Sequence, residues 1–231
     1  MHTQRRIGAI VSACIVASLS VCVGLIVWLG IGPGAIIGMG IALVVIATYV
    51  LLIGPWQRRW GANDEEVRRP MPGDEILRAG APSTTRAITV DRAPHDVFPW
   101  LLQIGFGRGG WYSYDWIDND GKPSVDHIDP DLRAALGDRI EMMPGVGPVI
   151  RMIEPDRVIV SGSDADSWCL SVEPTRDGKT RLISRWRQDW PRTAATYVWI
   201  ALADPGAFIM ERKMLRTIRD LAERGSFVAT R

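Results

Sequence analysis

From Ile7 to Trp56 no Asp, Glu, Lys, Arg or His interrupts a run of Ile, Val, Leu, Ala, Gly and Ser. One helix needs roughly 20 residues to cross the hydrocarbon core of a bilayer, so the run has room for two. The predicted spans are about 7–29 and 35–53. Gly30-Ile31-Gly32-Pro33-Gly34 between them offers a tight reversal that a helix interior resists, and the second run closes at Gly54-Pro55. Trp28 and Trp56 stand at the ends of the runs, where indole rings favour the headgroup region. Residues 1–56 therefore read as a transmembrane helical hairpin. A cleaved signal peptide fits less well, because its apolar region covers only about 7–15 residues.

Beyond Trp56 the pattern breaks up. Residues 57–83 are polar, with several Gly and Pro, and read as a juxtamembrane linker lying on the surface with little regular structure. Residues 84–225 read as a folded domain. Thr84–Asp91 has period two, with Ile88 and Val90 on one face of a strand. Pro94–Gly105 opens on proline, ends on glycine and places Val97, Leu101 and Ile104 on one helical face. Trp111–Asn119 predicts a short second helix. Strand-like runs follow at Asp138–Met143, Pro148–Ile153, Arg157–Ser161, Trp168–Glu173 and Thr180–Trp190, the last two joined by an Asp177-Gly178 hairpin turn. Asp204-Pro205 begins a helix to about Glu223. Phe208, Glu211, Leu215, Ile218 and Ala222 form one stripe on it, and Met210, Met214, Thr217 and Leu221 the next. Strand, two helices, a series of antiparallel strands and one long helix make an α+β order, not a doubly wound sheet.

Charge refines this picture. The formal charge of +1 conceals four arginines and no acid in residues 1–60, which leaves 23 basic and 26 acidic groups, or −3, in the remainder. Arg5 and Arg6 precede the first span and Arg58 and Arg59 follow the second. The expected topology is thus multi-pass in the cell (inner) membrane, with both termini and the soluble domain cytoplasmic. No charge sits at membrane depth, so anchoring is the expected role of the spans, not transport. The acidic remainder gives no support to nucleic-acid binding. Cys14, Cys22 and Cys169 are too far apart for a metal spacing or a disulfide framework.

Three segments carry a family resemblance: RRWGANDEEVRRPMPGDE from Arg58, FPWLLQIGFGRGGWYSYDWIDN from Phe98 and PGAFIMERKMLRTIRDLAE from Pro205. With the element order, they make residues about 55–225 resemble the SRPBCC superfamily. These are the START-like helix-grip proteins that include polyketide cyclases and lipid-transfer domains. The likeness is to a bacterial subgroup in which a membrane hairpin precedes the domain. It implies a curved antiparallel sheet gripping the long C-terminal helix, with a cavity between them.

Within that implied cavity, period two selects the lining. Leu182, Ser184, Trp186, Gln188 and Trp190 share one face of the last strand, and Arg181, Ile183, Arg185, Arg187 and Asp189 the other. Trp168, Leu170 and Val172 join the first set from the neighbouring strand. The candidate ligand-binding residues are Trp116, Trp168, Leu170, Ser184, Trp186, Met210 and Met214, an apolar set with a few polar groups. Asp115, Tyr112 and Tyr114 are the candidates for proton transfer, a carboxylate and two phenols beside aromatic rings. Each set has a plainer reading as ordinary core or helix cap.

Asp126, His127, Asp129 and Asp131 lack the glycine and distal glutamate of an EF-hand, and the glycine-rich GFGRGG follows a helix and lacks a Lys-Ser/Thr ending. No metal or cofactor is expected. Three functions are compatible with these residues. The first is a membrane-tethered module that binds a small hydrophobic molecule or lipid. The second is a cyclase- or dehydratase-like enzyme on the same cavity, and the third a protein-interaction domain with a filled core.

Overall fold

The structure, a computed structural model, describes residues 30–191 and 193–225 together with Ser20, Val21, Val23, Gly24, Val27 and Trp28. The chain divides into two compact units, Met1–Gln57 and Arg58–Arg231.

Among the described residues one helix, Gly32–Arg58, is long and apolar enough to cross a membrane, and its most apolar window has a mean hydropathy of 2.7. It is built from α1 (Ile31–Thr48), a π-helical turn at Tyr49–Ile53 and α2 (Gly54–Arg58). At 1.5 Å per residue its 27 residues extend about 40 Å, more than a hydrocarbon core of roughly 30 Å. Ile36, Met39, Leu43, Val45 and Leu51 are exposed around it, a surface with no polar side. The other expected span, 7–29, lies outside the described residues apart from the six named above.

Two boundaries differ from expectation. Only Gly30, at φ +83°, precedes the helix, and Gly32, Pro33 and Gly34 form its first turn, where proline lacks only a hydrogen that would have no partner. At the other end the helix runs past Gly54-Pro55. The widened turn before it bonds the Gly54 N–H to the Tyr49 carbonyl, and so accommodates the proline.

The second unit is α+β. β1 (Ser83–Val90), β2 (Val149–Glu154), β3 (Val158–Gly162), β4 (Asp166–Pro174) and β5 (Thr180–Gln188) form one open antiparallel sheet in the order β1-β5-β4-β3-β2. The Asp177-Gly178 turn joins β4 and β5 as expected. Thr175 N–H bonds the Lys179 carbonyl, Gly178 sits at φ +78°, and Trp168 pairs with Trp186 across the strands. No strand forms at Asp138–Met143. Pro148 has no N–H for a ladder, and the segment makes only isolated bridges, such as Arg139 with Val149.

α3 (Asp64–Arg68), α4 (Pro94–Leu102) and α5 (Asp115–Asp118) are short, and α6 (Ala194–Arg224) is long. α6 starts well before the predicted Asp204-Pro205, because Thr193 caps it by accepting the Thr196 N–H, and Pro205 lies inside it. Phe208, Leu215, Ile218 and Ala222 are buried as the predicted stripe, and Met214 with them. Met214, Leu215, Ile218 and Ala222 pack with Val97, Trp100, Leu101 and Ile104 of the α4 region and with Leu170, Val172 and Leu182 to form the inner core.

The outer face of the sheet carries a second core of Met71, Ala87, Val158, Val160, Cys169 and Ile183. The segment that covers it is the stretch expected to be a surface linker. It has a helix, α3, with a full capping box between Asn63 and Glu66, and a 3-10 turn at Asp74–Ile76. Met71, Leu77 and Ala81 are buried along it. Two glycines let it lie close. A side chain on Gly61, at φ +72°, would run into the Ala87 carbonyl, and one on Gly73 would come within 2.6 Å of Val160.

Arginines on the outer face of β5 hold this strap down. Arg185 is only 4% exposed. It donates to the carbonyls of Glu66, Val67 (3.1 Å) and Arg69 (2.8 Å), to the Asp74 carboxylate (2.7 Å) and to Thr85 (3.0 Å). Arg187 donates to the carbonyls of Asp74 and Arg78, and Arg181 to the Gly61 carbonyl and, through two contacts of 2.6 and 2.9 Å, to Glu66. Burial pushes the Glu66 carboxyl up. The Arg181 and Asn63 hydrogen bonds and the charges of Arg181 and Arg69 outweigh that and hold it below the usual glutamate value.

Removing Arg185 leaves the Glu66, Val67 and Arg69 carbonyls without their donor and takes a charged partner from Asp74, which keeps only the Met71 N–H and the more distant Arg187. Arg185→Ala is expected to cost about 3 kcal/mol or more in denaturant unfolding, and Arg185→Lys to recover only part of it, since one ammonium cannot replace the planar fork. The loss shows locally as faster tryptic cleavage after Arg68 and Arg78; an unchanged cleavage pattern would contradict the assignment.

Candidate functional site

Alternation along β4 and β5 sets Trp168 and Trp186 side by side on the inner face, and Trp111 joins them from the loop before α5. Trp111 stacks on Trp168 with centroids 5.9 Å apart, and Trp168 meets Trp186 at 5.3 Å. The first two indole N–H groups are used by the protein. Trp111 donates to the Glu141 carbonyl (3.1 Å) and Trp168 to the Ser184 hydroxyl (2.9 Å). The third, Trp186 Nε1, is shielded from solvent and has no hydrogen-bond partner.

Beside Trp186 a cavity of about 410 Å³ opens where the end of β5 approaches α6. Its walls include Trp186, Gln188, Trp190, Thr84, Thr196 and Ile200, and its rim carries Arg58, Arg78, Asp189 and Asp204. The rim is self-neutralised. Arg78 holds Asp189 through two contacts of 2.7 Å, and Arg58 lies 3.7 Å from Asp204, which Arg86 also approaches at 3.8 Å. A wider depression of about 610 Å³ lies on the outer face. It is open and polar, and its Arg185 and Arg187 are committed to strap carbonyls, so the inner cavity is the better candidate.

Of the seven candidate ligand-binding residues, Trp186 alone lines this cavity. Trp168, Leu170, Ser184 and Met214 are buried and do not line it, and Met210 is half-buried on α6. Trp116 is half exposed. Gln188 and Trp190 continue the alternation that picked out Trp186. Thr196 and Ile200 carried no signal, because the helix they belong to was expected to begin later.

The proton-transfer candidates sit elsewhere. The Asp115 carboxylate accepts from the Ser124 hydroxyl (2.6 Å) and N–H (3.0 Å), which ties a loop down. Tyr112 is buried at φ +55° and receives an N–H from Gln103 (2.6 Å); burial pushes its phenol up to about 12. Tyr114 is half-buried before α5. Gly105 and Gly110 of the glycine-rich loop bridge each other, and Asp129 caps a 3-10 turn by accepting the Asp131 N–H.

A neighbouring carboxylate shows what the sequence alone could not. Asp118 is buried, and neither of its oxygens has a partner in hydrogen-bonding geometry. Burial, then the charge of Asp115, pushes it up to about 6, and weak approaches of Ser113 and local backbone offset this only in part.

No family model matches the chain, and no curated protein matches it. Solved structures resemble it distantly. A protein from Staphylococcus saprophyticus, SSP2350, is 14% identical and covers 65% of this chain and 98% of its own, with a TM-score of 0.41. MLL2253 from Mesorhizobium loti is 14% identical over 63% of this chain and 100% of its own, with a TM-score of 0.39. A polyketide-cyclase-like protein from Corynebacterium glutamicum, Cgl2372, is 14% identical over 64% of this chain and 93% of its own, with a TM-score of 0.30.

Asp118 gives a testable pH dependence. Its folded-state value lies above the ordinary 3.8, so the folded chain binds the extra proton and stability falls as pH rises from about 4 to 6. Asp118→Asn is expected to gain roughly 1–2 kcal/mol at pH 7.5 and little at pH 4, flattening the pH profile of the unfolding midpoint. A parallel profile for the two proteins would refute this.

Proposed function

We propose that the chain is a membrane-anchored binding module of the helix-grip type, taking a small hydrophobic molecule or lipid into the cavity beside Trp186. The cavity carries the reading. At about 410 Å³ it exceeds the roughly 300 Å³ at which small-molecule sites begin, and indole, aliphatic and amide groups line it. The apolar helix that precedes the domain, with no polar side, supports anchoring. Arginines at 5–6 and 58–59, with none between, support two passes through the inner membrane with both termini and the domain cytoplasmic. A tether of this kind raises the encounter rate with membrane-dissolved ligands through effective concentration.

The likeness of the three quoted segments to the SRPBCC superfamily points the same way. A cyclase or dehydratase reading is weaker, because Asp115 is held by Ser124, Tyr112 by Gln103, and neither lines the cavity. A purely protein-binding domain has no need of the open space.

Native mass spectrometry of the full chain extracted from membranes is expected to show a co-purifying apolar molecule, reduced at least tenfold in Trp186→Ala. Wild-type protein that carries nothing and takes up nothing from a lipid extract would refute the proposal.

A further inference from the structure

The outward face of α6 carries cations that the second unit leaves unmatched. Ile209, Arg212, Lys213 and Arg216 stand at i, i+3, i+4 and i+7, the spacing of a single helical stripe. Ile209, Lys213 and Arg216 are exposed, and Arg212 is half-buried. Among the described residues no carboxylate lies within ion-pair distance of these three cations. The acids around them are taken: Glu211 by Arg86, Asp220 by Arg219 at 2.6 Å, and Asp204 by Arg58 and Arg86 at 3.7 and 3.8 Å.

An aromatic platform holds the two arginines in place. The Trp60 carbonyl accepts the Ala87 N–H of β1 (3.1 Å), and the Trp60 ring meets Phe208 edge-on at 6.4 Å. Arg212 and Arg216 lie over that one indole, 5.3 and 5.4 Å from its centre. Like charges four residues apart on a helix repel, a cost that an anionic surface facing the stripe would remove.

Chain length says which surface is near. Trp60 follows Arg58, the last residue of the apolar helix, by two residues, which span at most about 7 Å. A bilayer that holds the helix thus has its headgroup layer within reach of the arginines over Trp60. An exposed apolar side chain flanked by cations suits such a layer, the Ile209 side chain entering its boundary and the cations drawn to anionic lipid.

Resting on the anchoring in the reading above, we infer that this stripe of α6 docks on anionic lipid headgroups of the membrane that holds the chain, through Arg212, Lys213 and Arg216.

Lysine reactivity tests this, because the chain has only three lysines: Lys122, Lys179 and Lys213. The full chain is placed in lipid discs of phosphatidylcholine, alone or in a two-to-one mixture with phosphatidylglycerol. An uncharged reagent then acetylates it, and mass spectrometry reads each site. Lys213 is expected to react at least about fivefold more slowly in the anionic discs, the factor that one cation near such a surface carries, while Lys122 and Lys179 change less than about twofold. Half-molar salt, which cuts the screening length to about 4 Å, is expected to restore the rate. Arg216→Gln, an exposed change that leaves the core alone, is expected to recover at least half of the lost rate with an unchanged unfolding midpoint.

Equal Lys213 rates in the two discs, protection that ignores lipid charge and salt (as when a protein partner covers the stripe), or protection unmoved by Arg216→Gln would overturn the inference. Protein that resists alkaline carbonate extraction in those cases leaves the anchoring reading standing. Release of the chain from membranes by carbonate would sink the anchoring, and the docking with it.

Discussion

The buried guanidinium of Arg185 connects parts of the second unit that the chain keeps far apart. It stands on the outer face of β5 and hands its donors to carbonyls of residues 66–69 and to Asp74. That backbone is short helix and irregular turn, and its carbonyls have no ladder to join. Buried backbone acceptors need partners, and a planar group with five N–H donors can supply several at once from a single side chain. Arg187 and Arg181 extend the same service to either side.

Closing the outer face has consequences for the inner one. With Met71 and its neighbours sealing one side of the sheet, β5 is buried on both faces, and Leu182, Ile183 and Ser184 are almost fully enclosed. The inner face is packed by residues of the α4 region and α6, and a cavity lies near the end of β5. The row of indoles runs from that packed core to the open end. Its inner members are fixed by hydrogen bonds, which gives Trp186 a rigid backing.

Much of the fold was legible from local pattern. One apolar helix long enough to span, the strands β1 to β5, the Asp177-Gly178 turn and the buried stripe of α6 are statements about neighbouring residues, and the structure bears them out. The misses share a cause. Residues 57–83 look like a polar linker because their burial is bought by side chains of β5, over a hundred residues later. Asp138–Met143 alternates like a strand, but Pro148 and the glycines around it leave no ladder to join. Pro205 looks like a helix start, although the Thr193 cap upstream had already begun the helix.

The candidate site divides along the same line. Sequence by itself determined that β5 presents Ser184, Trp186 and Gln188 on one face and arginines on the other, because side-chain direction in a strand is set by parity alone. It also determined that an apolar stretch long enough for a bilayer precedes the domain. Tertiary structure decided which indoles became core and which one met open space. It likewise turned Asp115 into a loop clamp and left Asp118 buried without a partner. Those outcomes depend on how much volume and how many donors distant segments bring to one place, and no local pattern carries that sum.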